Sequence, residues 1–321
     1  MNEVSPASGI RIGVSSCLLG REVRFDGGHK RDPFVAGVLS RYFELVPVCP
    51  ELEIGLGVPR DPIRLQRRGA EVRVVGARDP DLDVTEPLRA LGRRVAESRG
   101  DLSGYILKSK SPSCGMERVK VYDGDDGVPG RDGVGEFARV LMERRPDLPI
   151  EEEGRLNDPV LRENFIERVF TYKRWQTVAV AGLSAARIVD FHARHKLLLM
   201  AHGQSAYRAL GRQVAGCGRE DPKCFGQRYI GELMTALRTR ASRSNHTNVL
   251  KHVQGFLKDR IEAEDKQELN QVIESYRIGQ VPLVVPITLL KHHFRRHPDE
   301  YMLQQVYLNP HPPELMLRNL I

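Results

Sequence analysis

The first 155 residues alternate short apolar, β-branched runs with stretches whose apolar positions recur at three- and four-residue steps. "IRIGVSSC", "FELVPVCP", "AEVRVVG" and "LSGYILKS" read as strands. "RDPFVAGVLSRYF", "TEPLRALGRRVAESRG" and "GVGEFARVLMERRPD" read as helices, with Thr85 as the N-cap of the second, Pro87 in its first turn and Pro146 ending the third. Strand–helix alternation predicts an α/β sandwich built on a mainly parallel sheet. From about residue 156 the strand signal disappears. "DPVLRENFIERVFTYKRWQTVA" predicts a connecting helix within 156–185. "SAARIVDFHARHKLLLMAHG", "CFGQRYIGELMTALRTRA", "NHTNVLKHVQGFLKD", "DKQELNQVIESYRIG" and "PLVVPITLLKHHFRRHPDEYMLQQVY" then predict an all-α bundle over 186–321.

Composition adds three constraints. At 321 residues, 40% hydrophobic and 28% charged, the chain is long enough for two separate cores. No apolar run reaches the roughly 18 residues of a membrane span. The start, "MNEVSPASGIRIGVSSC", has no basic segment followed by an apolar one, so no secretory signal is expected. Five widely spaced cysteines are not a disulfide framework, and free thiols in a reducing cytoplasm are expected. Charge is uneven. Residues 1–155 hold 25 Lys+Arg against 26 Asp+Glu, a net −1, and residues 156–321 hold 24 against 16, a net +8. A neutral unit joined to a basic one points to a polyanionic partner for the second, or to no more than a solvated basic surface.

The chemistry lies in the first half. Cys17 in "SSCLLG", Cys49 in "VCPE" and Cys114 in "KSKSPSCGM" each follow the end of an expected strand. In a parallel sheet such positions share one edge, the edge where ligands bind. Three converging thiolates suit a metal. Structural zinc normally takes a fourth ligand, whereas an iron–sulfur cluster on three cysteines keeps one iron open. The separations match no short zinc motif, so only the fold can assemble such a site.

"SSCLLGREVRFDG", "VCPELEIGLGVPR" and "LKSKSPSCG", in this order, resemble the thiouracil desulfurase (TudS) family over about residues 9–155. The resemblance implies a 4Fe–4S cluster held by Cys17, Cys49 and Cys114, with an open iron that takes the sulfur of a thiolated uracil. It also implies catalytic roles for Glu51 and Ser111. "ELEIGLGVPR" departs from the tighter glycine pair usual in the family's second motif. The residues alone allow Glu51 as a helix-start carboxylate and Ser111 as a turn former. Arg24, Asp26, Lys108 and Ser109 are candidates for the uracil edge, although Asp26-Gly27 is also a good turn. "VYDGDDGVPGRDGVGE" reads as a loop that can act as a lid, being too short for a collagen-like repeat and lacking a calcium-loop pattern.

"DFHARHKLLLMAH" carries a resemblance of residues 186–310 to the YbgA-type domain, which often follows a desulfurase-like domain. His192 and His195 sit three apart, with His202 beyond, and satisfied histidines are favoured over metal ligands. Cys217 and Cys224 flank "GREDPK" as two spare thiols or a loop clip. Cations interleave with aromatics at Tyr172, Lys173, Arg174 and Trp175, and again at Lys291, Phe294, Arg295 and Arg296. Arg238, Arg240 and Arg243 follow another helix. Such clusters neutralise phosphates while rings stack on exposed bases, or form ordinary amphipathic faces. Fusions of these two domains are associated with removing sulfur from 4-thiouridine in tRNA. That reading makes tRNA the partner and the chain a hydrolytic desulfidase. The alternatives are a desulfurase of free thiouracils with a helical oligomerisation domain, and a non-enzymatic metal-responsive regulator.

Overall fold

A computed structural model describes residues 9–124 and 128–321. They form two compact units that divide between Asn157 and Asp158.

The first unit contains a fully parallel sheet in the order β2-β1-β5-β8, made of β1 (Arg11–Ser15), β2 (Glu44–Val48), β5 (Leu102–Leu107) and β8 (Ile150–Glu152). β5 is buried at every position, Ser103 and Gly104 included, as expected of an inner strand in a sheet covered on both faces. Pro47 is tolerated in β2 because β2 is an edge strand, where a missing N–H need not interrupt a ladder. A second sheet of order β4-β3-β6-β7 joins β3 (Ile63–Arg68), β4 (Glu71–Gly76), β6 (Val119–Tyr122) and β7 (Gly130–Gly133), with antiparallel pairs at both ends. Only β4 of this sheet was expected from the pattern. The stretch read as a lid supplies β6 and β7, while its residues 125–127 lie outside the described residues.

The helices of this unit are α1 (Pro50–Glu53), α2 (Thr85–Ser98) and α3 (Glu136–Arg144), and α2 and α3 pack side by side. "RDPFVAGVLSRYF" gives only a π-type turn and a 3-10 turn. Thr85 is not an N-cap. It is the first residue of α2, and its hydroxyl accepts from Val74 N at 2.9 Å while Asp83 Oδ1 accepts from Thr85 N at 2.9 Å. The buried hydroxyl therefore ties α2 to β4.

The second unit is helical: α4 (Pro159–Val180), α5 (Ala185–His202), α6 (Gln204–Ala215), α7 (Pro222–Arg238), α8 (Arg243–Gly255), α9 (Ala263–Arg277) and α10 (Val284–Arg296). Asp158, Ser184, Asp221 and Ser242 cap α4, α5, α7 and α8 through their side-chain oxygens. α4, expected as a connector, is a core element: Phe165, Ile166 and Val169 are fully buried and it packs on α7. The histidines are structural. His192 Nδ1 meets the Tyr229 hydroxyl at 3.1 Å and His195 Nδ1 meets Phe191 O at 2.7 Å. His202 lies between Thr239 O at 2.5 Å and Glu167 Oε1 at 2.6 Å. Burial opposes charge on His202, but Glu167 and the Thr239 carbonyl prevail and raise its pKa above the ordinary imidazole value. No helix among the described residues is long and apolar enough to cross a membrane.

Gly135, just before α3, lies against the turn that carries Cys114. A Cβ there would fall 2.6 Å from the Ser113 carbonyl carbon and 2.7 Å from Gly115 N. Gly135→Ala must push that turn away and is expected to cost about 1–3 kcal/mol. A lower denaturation midpoint with an unchanged denaturant slope checks it.

Candidate active site

β2, β1 and β5 are neighbours running the same way, with Ser15 opposite Val48 and Val14 opposite Ile106. Their C-terminal ends are therefore level. Cys17 lies two residues past β1 in a 3-10 turn, Cys49 directly past β2 ahead of α1, and Cys114 in the turn after β5. All three line one cavity of about 330 Å³, together with Arg24, Glu51, Arg60, Lys108, Ser109 and Ser111. Asp26 is not in its wall. Its Oδ1 accepts from Gly28 N at 3.1 Å, the bond of a turn former.

Ser111 shapes the Cys114 turn. Its oxygen accepts from Ser113 N at 3.2 Å and from Cys114 N at 3.1 Å, so its own proton remains to be donated. Lys110 beside it has φ 61°, an uncommon left-handed conformation for a side-chain-bearing residue. Glu51, on the one-turn α1, contacts a different serine. Its Oε1 accepts from Ser113 Oγ at 3.0 Å. Its Oε2 accepts from Arg60 Nε at 3.0 Å and Nη2 at 2.5 Å. Arg60 also donates to Gly57 O at 2.6 Å and Val23 O at 3.0 Å. One guanidinium thus joins the loop after Cys17 to the helix after Cys49, and Glu51 extends the link to the residue before Cys114.

Sequence reasoning missed Arg60 and Glu153. Arg60 ends the second motif, "GVPR", which was its only local signal. Glu153 ends the acidic run 151–153 and directly follows β8. It pairs with Lys108 Nζ and accepts from Ser109 N at 2.8 Å and Ser109 Oγ at 2.7 Å. It therefore fixes both of the candidate uracil-edge residues that follow β5.

Burial raises all three thiol pKa values, that of Cys17 to about 11 and those of Cys49 and Cys114 also upward. Lys108 and Arg24 oppose the shift at Cys17. Thiols this reluctant to ionise become thiolates when a metal displaces the proton. Among the described residues no three Cys, His, Asp or Glu close on the position of a single metal ion. The three thiols share the wall of the 330 Å³ cavity.

Residues 12–153 match the 2-thiouracil desulfurase family, and residues 196–312 match a family described as a protein of unknown function, DUF1722. YbgA of Escherichia coli, uncharacterised, is 33% identical over 153 residues, spanning 47% of this chain and 90% of YbgA. YbbK of Bacillus subtilis, also uncharacterised, is 30% identical over 153 residues, spanning 45% of this chain and 97% of YbbK. The chain joins a 2-thiouracil desulfurase domain to a YbgA-type domain. Among solved structures, the [4Fe-4S]-dependent thiouracil desulfidase TudS is 32% identical, with a TM-score of 0.35, covering 46% of this chain and 94% of TudS.

In the YbgA-type domain the interleaved aromatics are not a stacking surface. Trp175 is 5% exposed, with its ring 5.1 Å from Phe191 and 5.5 Å from Tyr229. Tyr172 and Phe294 are also buried. Helical periodicity turns the rings inward and the cations outward, so adjacency in sequence is not adjacency on a face. Arg174 is occupied as well, donating to Pro310 O at 2.6 Å. Lys173 is half-buried, while Arg238, Arg240, Arg243, Arg295 and Arg296 are exposed. Cys217 is buried and Cys224 exposed, both as free thiols.

The Arg60 side chain is 6% exposed and that of Glu51 16%. Arg60→Ala is expected to destabilise the desulfurase domain by about 3–5 kcal/mol, because it strands a buried carboxylate. Arg60→Lys should lose less, since it keeps the charge and loses the fork geometry. A denaturation cycle with Glu51→Gln checks this, and independent, additive losses would remove the link.

Proposed function

We propose that this protein removes sulfur from 4-thiouridine in tRNA by hydrolysis at a 4Fe–4S cluster, giving uridine and hydrogen sulfide. The observation that carries the reading is the convergence of three strand-end thiols and Glu51 on one cavity of the desulfurase domain. The donor set fits a cluster with one iron left open: Cys17, Cys49 and Cys114 would hold it, and the two remaining cysteines belong to the other unit. The family match and the 32% identity to TudS, which is named as [4Fe-4S]-dependent, support that cofactor. When bound, the cluster supplies a soft Lewis acid for the thiocarbonyl sulfur and leaves the ring carbon electron-poor.

The chain's own groups then have defined work. Glu51 is held by Arg60 through one oxygen, so its other oxygen is the one available to take a proton from water attacking the ring carbon. Ser113 shares that oxygen and fixes its direction. Ser111 has its oxygen spent on two backbone N–H groups and offers its proton to the departing sulfur or to the new ring oxygen. Lys108 and Ser109, set by Glu153, and Arg24 stand where the edge of the base would lie. Water supplies the oxygen and both protons of hydrogen sulfide, and no electrons are exchanged.

A tRNA substrate is supported by the partition of charge. A unit of net −1 repels a polyanion weakly, and one of net +8 attracts it. The exposed Arg238, Arg240, Arg295 and Arg296 are the groups for phosphate contacts, while Arg243 is tied to Tyr276.

The deciding experiment is anaerobic reconstitution, iron and sulfide analysis, then incubation with thiolated tRNA and nucleoside mass analysis. Cys17→Ser, Cys49→Ser or Cys114→Ser should each abolish a stable cluster, whereas Cys217→Ser and Cys224→Ser should keep it. Full cluster content in Cys114→Ser would sink the ligand set. Glu51→Gln should retain cluster and lose about 100-fold or more in turnover.

Replacing Arg295 and Arg296 together should weaken tRNA binding. It should also flatten the log–log salt dependence by roughly one unit for each phosphate that is no longer neutralised. Reaction with free thiouridine should change much less. Equal losses on both substrates would remove the RNA reading and favour a desulfurase of free thiouracils.

A further inference from the structure

The YbgA-type domain has a cavity of its own, of about 200 Å³, lined by Glu163, Asn164, Arg243, His246 and Tyr276 among others. It is smaller than the ~300–1,000 Å³ of pockets for drug-sized ligands, on the scale of one flat ring system. Glu163, Asn164, His246 and Tyr276 are each no more than 5% exposed. A polar side chain buried to this degree normally has at least one partner. Here each has capacity left.

Glu163 Oε1 accepts from Arg318 Nε at 3.2 Å, but no hydrogen bond among the described residues reaches Oε2. His246 Nδ1 meets the Tyr307 hydroxyl at 3.0 Å, and its Nε2 has no partner among them. Asn164 Nδ2 donates to Leu237 O at 2.9 Å, leaving Oδ1. The Tyr276 hydroxyl makes no hydrogen bond among the described residues. Arg243 Nη1 donates to Tyr276 O at 2.6 Å and its guanidinium lies 4.7 Å from the Tyr276 ring centre. That fixes the plane of the guanidinium while Nε and Nη2 stay unspent.

The electrostatics are built from behind. Arg318 reaches both Glu163 and Glu167 at 3.2 Å, and His202 caps Glu167. Burial works against the Glu163 charge, yet His311 and Arg318 hold its pKa down to about 2, so it remains an acceptor. An ionised carboxylate in such a cavity calls for N–H donors. Guanine presents two adjacent ones, N1–H and the N2 amino group, on its Watson–Crick edge. Uracil sets one N–H between two carbonyl oxygens. Adenine and cytosine place an amino group beside a ring acceptor. Guanine's O6 and N7 are in turn the usual acceptors for arginine, and a guanidinium plane is a stacking partner for an unstacked base.

We propose that this cavity is a pocket for a guanine base, with Glu163 on its N–H edge and Arg243 and Tyr276 on its oxygen side or face. The base comes from an unpaired nucleotide of RNA or from a free nucleoside. The RNA source rests on the tRNA reading above, and the pocket itself does not.

The test uses the full-length protein and guanosine, with uridine and adenosine as controls, followed by calorimetry or saturation-transfer NMR. Guanosine should bind saturably and at least 10-fold tighter than uridine. Tyr276→Phe should weaken it by 10-fold or more with the melting temperature unchanged, and Arg243→Ala should weaken it as much, with circular dichroism confirming the fold because Tyr276 O loses a donor. Glu163→Gln should abolish it, with circular dichroism confirming the fold because Arg318 loses a partner. Absent guanosine binding, no preference over uridine, or unaltered binding in Tyr276→Phe and Arg243→Ala would each overturn the pocket. Competition between guanosine and tRNA supports an RNA source. Guanosine binding without competition supports a free nucleoside. Intact tRNA turnover without guanosine binding overturns the pocket and leaves the tRNA reading standing.

Discussion

The ion pair between Arg60 and Glu51 is the contact on which the site's geometry rests. Three loops leave the sheet at the same edge, and loops that share an edge have no inherent reason to keep a fixed spacing. Arg60 gives them one, by bonding the loop after Cys17 through Val23, its own loop through Gly57, and the helix after Cys49 through Glu51. Ser113 closes the set from the Cys114 side. The pair is mostly shielded from water, where removal of one partner costs far more than at a surface. The carboxylate best placed for acid–base work is therefore also the one that spaces the thiols. Loss of Glu51 has to be read through cluster content as well as rate.

The desulfurase domain keeps its polar groups beside the thiols, and the helical domain buries its own inside the bundle. α4 carries Glu163 and Glu167 into the interior, and Arg318 and His202 compensate them. Such a cluster contributes little net stability over an apolar core. It does demand one arrangement, because each charge is costly without its partner. A bundle held only by leucines would not need Arg318, which is 6% exposed, to reach back to α4.

Much of the plan was legible along the chain. β5 and β1 read as strands, the thiols fall just past strand ends, and the long helices of the second unit follow their apolar period. The less regular parts were not. β7 is "GRDG", with no apolar alternation, and it pairs as a strand only because β6 offers it a ladder. Thr85 has the composition of a cap, but the buried Val74 amide competes for its hydroxyl and wins. Trp175 follows two basic residues in sequence and lies between aromatic rings in space.

Local sequence therefore determined the element types of the long segments, the order of the three thiol motifs and the uneven charge of the two halves. These depend on hydrophobic period, on turn chemistry and on composition, which act between near neighbours. Tertiary structure alone decided that Ser113 rather than Ser111 meets Glu51, that Arg60 and Glu153 set the cavity wall, and that Glu163, Arg243, His246 and Tyr276 share a second cavity. Glu51 and Ser113 stand 62 positions apart along the chain. Hydrogen bonds and ion pairs act over a few ångströms, and only the folded chain brings such distant groups within that range.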